Sequence, residues 1–142
     1  MNYHIILAIT IWQLLAVAGS TSIYGQNLIE VFSNQLQNEG YKIEKIVTAR
    51  LLEKSSITYG YNFDKGKTYK MLAFSDNADV QDIDLFLKNN LGNTIKVDKH
   101  YHSHAALVFK PQQNGEFVVS ALLYNSLSDM LKYPCTLIVA AK

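Results

Sequence analysis

The sequence predicts a mostly β fold, an antiparallel β-sandwich with seven to eight short strands and one N-terminal helix. Three observations carry this reading. Ile57, Tyr59, Tyr61 and Phe63 alternate with small or polar residues, the period of a strand with one buried face. From Ser55 onward, short apolar runs are separated at regular intervals by turn-forming clusters, a rhythm typical of sandwiches and barrels. Between residues 27 and 39, in contrast, Leu28, Val31, Phe32 and Leu36 fall at helical spacings of three and four.

The elements follow in order. Residues 1–25 read as a signal peptide. Ile5 to Ala18 is an apolar core of about 14 residues, shorter than the roughly 20 that a membrane-spanning helix needs. Small and polar residues follow, with cleavage expected after Ala18 or after Gly25. The alternative is an uncleaved anchor. With cleavage, the chain is exported to the periplasm or beyond the cell and keeps no stable membrane anchor. Residues 26–54 supply the helix and a lead-in strand that pack with residues 55–142 as one domain. Asn27 suits the helix cap, and Gly40 suits a positive-φ stop. Tyr41–Lys54 fits a helix or a strand. The strand is favoured because Val47, Ala49 and Leu51 alternate and sequential strands tend to pair.

Asp64-Lys65-Gly66 is a turn, and Lys67–Ser75 reads as the hairpin partner of the Ile57–Phe63 strand. Asp76–Gln81 is a polar loop, and Asp82–Lys88 is a strand with Ile83, Leu85 and Leu87 inward. Asn89–Gly92 turns the chain into a strand near Asn93–Asp98. Ala105–Lys110, the turn Pro111–Gly115, Glu116–Tyr124, a loop to Lys132 and a last strand to Ala140 complete the series.

Thirteen basic and twelve acidic residues nearly cancel and are mixed along the chain, so charge gives no argument for nucleic acid or an anionic membrane. Cys135 is the single cysteine and has no internal disulfide partner. Its apolar surroundings suit a small core residue better than a nucleophile.

Several segments together resemble the bacterial pre-peptidase C-terminal domains and their stand-alone secreted relatives. They are Gly66-Lys-Thr-Tyr69, Asp79-Val-Gln-Asp-Ile-Asp-Leu-Phe-Leu87, Gly92-Asn-Thr-Ile95 with Asp98 after it, and Phe109-Lys-Pro111 followed by Gly115-Glu-Phe117-Val-Val119. Phe117 stands where that family usually has tyrosine. The resemblance implies a compact jelly-roll-like β-sandwich that serves as an accessory or binding module and carries no catalytic residues.

Three groups are candidate sites. Asp76, Asp79, Asp82, Asp84 and Asp98 are oxygen donors suited to calcium, although the spacing is not that of an EF-hand. The resemblance adds to this, because some of those relatives bind calcium near the matching aspartates. The bland alternative is strand ends and Asx-turns that keep an edge soluble. His100, His102 and His104 would share one face of an extended strand and could serve a transition metal, but a straight strand spaces them too widely for one ion. The alternative is an exposed polar loop. Tyr59, Tyr61, Phe63, Tyr69 and Phe74 are strand aromatics that suit the core, with Tyr101 and Tyr124 elsewhere. The sequence contains no G-x-S-x-G elbow, H-E-x-x-H pair or phosphate-binding glycine loop.

The expected function is therefore a non-catalytic binding module with no required cofactor, engaging an extracytoplasmic protein, a polysaccharide or the envelope surface. A metal-binding protein is the alternative, and a small secreted hydrolase the lesser one.

Overall fold

The computed structural model describes residues 27–142. The expected signal peptide lies outside the described residues. One helix, α1 (Leu28–Asn38), precedes eight strands: β1 (Lys42–Leu51), β2 (Ser56–Phe63), β3 (Tyr69–Phe74), β4 (Val80–Asn89), β5 (Thr94–Asp98), β6 (His104–Phe109), β7 (Gly115–Ser126) and β8 (Tyr133–Ala141). They form two four-stranded antiparallel sheets, ordered β1-β8-β3-β6 and β2-β7-β4-β5. This is the jelly-roll arrangement of an eight-stranded sandwich.

The alternation read from the sequence sets which residues meet between the sheets. Ile57, Phe63, Ile83, Leu85, Leu87, Val119, Leu137 and Val139 are buried there, with Tyr59 and Tyr61 packed against them. Phe63 from the second sheet stacks on Tyr69 from the first, with ring centroids 4.1 Å apart. The core reading of these aromatics therefore holds. Phe74 belongs to a second apolar layer, in which Phe32 and Leu36 of α1 cover Leu72, Phe74, Ile138 and Ala140 on the outer face of the first sheet.

Local chemistry ends α1 where expected. The Asn27 side chain accepts from the Ile29 N–H at 2.9 Å, and Gly40 adopts φ +87° as the chain reverses. Beyond it, Lys70 is only 1% exposed on β3, and its ammonium meets Glu39 at 2.6 Å. That ion pair ties the end of the helix to the sheet.

Two expectations about pairing are corrected. β2 and β3 are not a hairpin: β2 pairs with β7, and β3 pairs with β8 and β6 in the opposite sheet. The link through residues 64–68 carries the chain across the sandwich, so that Phe63 and Tyr69 face each other through the core instead of lying side by side in one sheet. β1 is a strand as favoured, but the reason given for it fails. It pairs with β8, the last strand, and not with its neighbour in sequence.

Candidate functional site

The strand period places Asp82 and Asp84 on the outer face of the second sheet, opposite the inward Ile83 and Leu85. Both are nevertheless buried. The reason is the β5–β6 connection, which lies against this part of β4. The Ile83 N–H donates to the His102 carbonyl at 2.7 Å, and the Asp82 carboxylate accepts from the His102 N–H at 3.2 Å. The aspartate strand and the histidine segment thus meet at one corner of the sandwich. Around it, Tyr101, Gln81 and Asn125 form a small hydrogen-bonded group, with the Asn125 Nδ2 donating to the Tyr101 hydroxyl at 2.9 Å. Lys54 stands over the exposed ring of Tyr124, 3.4 Å from its centroid.

Asp84 is 5% exposed and, among the described residues, accepts no hydrogen bond and makes no ion pair. Burial, then the nearby Asp82 charge, pushes its pKa above the ordinary aspartate value, while Lys99 and Lys54 oppose that rise. Burial also raises Asp82, against the bond from His102. Asp98 behaves oppositely. Burial alone would raise it, but donors from the Ala106 and His100 backbones and from the His100 ring hold it below the ordinary range.

The five aspartates do not form one cage. Asp98 lies opposite Leu85, on the inner side of the sheet, and its oxygens already serve Ala106 and His100. The Asp79 N–H caps an Asx-turn on Asn77. The histidines do not share a strand face either, because residues 99–103 form a bent connection and only His104 begins β6. His102 and His104 stack with ring centroids 5.4 Å apart. His100 points away, 83% exposed, to pair with Asp98 at 2.7 Å. Among the described residues no three His, Cys, Asp or Glu side chains are gathered to hold a metal ion. Cys135 is buried on β8, and burial pushes its thiol up to about 11.

The sequence reading passed over a second feature. At one end of the sandwich the β4–β5 turn, which contains Asn89 and Asn90, and the β6–β7 turn, residues 110–114, border an open cleft of about 390 Å³. That volume is within the range of small-molecule sites, about 300–1,000 Å³. Phe109 and Phe117 contribute its apolar surface, their rings 5.2 Å apart and edge to face. Both also lean on the fully buried Phe63, at 6.1 and 5.2 Å. Carboxamides supply most of the polar lining, from Asn89, Asn90, Gln112, Gln113 and Asn114, together with Glu116.

Two of those amides fasten the turns. Asn89 Oδ1 accepts from the Leu91 and Asn93 N–H groups at 3.0 and 2.9 Å, and Asn114 Oδ1 accepts from the Lys65 N–H at 2.7 Å. The side chains of Asn90, Gln112 and Gln113 make no hydrogen bond within the described residues. In the sequence these residues read only as turn formers. Their convergence depends on two turns that are distant along the chain.

The fold defines the class as an eight-stranded jelly-roll β-sandwich with one helix covering one sheet. Among solved structures, the chain is similar to the Yersinia pseudotuberculosis-derived mitogen, at 14% identity and a TM-score of 0.50, covering 70% of this chain and 85% of that one. It is also similar to the pre-peptidase C-terminal domain of a collagenase from Bacillus anthracis, at 13% identity and a TM-score of 0.47, covering 67% and 87%. A third likeness is to a periplasmic inhibitor of g-type lysozyme from Aeromonas hydrophila, at 10% identity and a TM-score of 0.48, covering 73% and 90%. At such identities the likeness concerns the fold alone. No protein-family model and no curated protein matches the chain.

Proposed function

We propose that this protein is an exported, non-catalytic binding module and that the cleft between the β4–β5 and β6–β7 turns is its recognition site. The apolar leader supports export. The observation that carries the binding reading is the cleft's construction: two rings anchored on the core, turns fastened by their own side chains, and three further amides left with donors and acceptors unused. The anchored rings and fastened turns hold the cleft's shape before binding, while the exposed amides are free to orient on a ligand at a cost in side-chain freedom. Cosedimentation of the purified chain with insoluble cell-envelope material tests the reading. Retention should fall in a Gln112→Ala/Gln113→Ala variant that melts like the parent. Absence of retention, or equal retention of both proteins, would overturn it.

A metal-dependent role is the second reading, and the meeting of Asp82 with the histidine segment is what favours it. It predicts bound metal in the purified protein and a lower melting temperature in chelator. A metal-free protein with an unchanged melt would remove it.

A further inference from the structure

We infer that the cleft between the β4–β5 and β6–β7 turns takes a neutral glycan, with a sugar ring against Phe117 or Phe109 and its hydroxyls on the carboxamides. This rests on the binding-module reading and assigns its ligand class. A pyranose presents two kinds of surface: an apolar face of C–H groups, and a rim of closely spaced hydroxyls that both donate and accept. The cleft offers the complement of each.

Phe109 and Phe117 are half-buried, so their outer parts are available while Phe63 fixes their orientation. Each carboxamide places one acceptor oxygen beside two N–H donors, which matches a pair of neighbouring hydroxyls. The amides of Asn90, Gln112 and Gln113 have no partner within the described residues, so binding breaks no internal bond. Glu116 is exposed, with its carboxylate beside Gly60 on the face of β7 opposite Phe117.

Charge selects among glycans. No lysine or arginine lines the cleft, and its single charged group is acidic. Uronic acids, sulfated sugars and nucleic acid would find no cation among the lining residues to pair with.

The test is a printed array of neutral and acidic oligosaccharides probed with the purified chain. It is followed by NMR titration of the best neutral sugar into protein labelled on side-chain amides. Neutral sugars should bind, with shifts concentrated at Asn90, Gln112, Gln113 and the Phe117 ring. Removing one amide by Gln112→Ala or Gln113→Ala should weaken binding about fivefold, the effect of one net hydrogen bond. Because these side chains are exposed, the variants should keep the parent's melting temperature.

No shift at the cleft with any neutral sugar would overturn the inference. So would an acidic glycan or a peptide binding there instead, although the binding-module reading would then survive. If envelope retention is also independent of the cleft, both readings fall.

Discussion

Burial opposes the ionised form of a carboxylate, and Asp84, 5% exposed beside Asp82, is a group on which it acts. Its raised pKa means that the folded state holds the proton more tightly than the unfolded state. The stabilising contribution is complete below the ordinary aspartate value and is lost as pH rises through the raised one. Asp84→Asn should therefore stabilise the protein near neutral pH, by about 0.5–1 kcal/mol given the solvent still reaching this face. That gain should shrink in acid, and melting curves at several pH values would show it. His104 titrates in a separate window. Burial, with His102 beside it, depresses its pKa, so its contribution is present above the ordinary imidazole value and is lost as pH falls toward the lowered one. Wild type should lose stability below about pH 6.5, and His104→Gln should flatten that slope. The aspartates and histidines were legible as polar residues near a strand. The burial of Asp82 and Asp84 was not, because it comes from a connection folding over β4 and not from β4 itself.

At the scale of elements, α1 is a lid on the first sheet, fixed at its end by the pair of Glu39 with Lys70. The two partners differ in exposure, and that sets the outcome of removing each. Glu39→Ala leaves an ammonium that is 1% exposed without its carboxylate, and should cost about 3 kcal/mol. Lys70→Met replaces the buried charge with an apolar chain and leaves only the more exposed Glu39 unpaired, so it should stay within about 1 kcal/mol of wild type. Urea denaturation of both variants measures the contrast. The helix could be read from the sequence because its cap, periodicity and stop are local. β1 is a strand as favoured, but its periodicity fitted a helix as well and the neighbour pairing that decided the choice is absent, since Leu51 meets Tyr133 from the far end of the chain. The hairpin expected across Asp64–Gly66 failed for a related reason. A tight turn fixes a reversal of direction, while the stacking of Phe63 on Tyr69 decides that the reversal crosses the core.

Across the whole molecule, Cys135 reports on global opening, because it sits on β8 between β1 and β3. With its thiol raised to about 11, it should resist alkylation in the folded state and react as the sandwich opens. Iodoacetamide labelling across a urea gradient should follow the unfolding curve, and rapid labelling in native buffer would contradict the burial. An antiparallel sandwich or barrel was legible from strand count and turn rhythm, and the family resemblance narrowed it to a jelly roll, whereas the strand order was not legible, because period-2 patterns carry no information about partners. That order has a consequence for the life of the chain before it folds. Only the β4–β5 link stays within one sheet, and β8, the strand that joins β1 to β3, is made after all the others. The first sheet cannot close on a growing chain, because β1 and β3 have no shared neighbour until residues 133–141 have been made, whereas every strand of the second sheet is complete by Ser126.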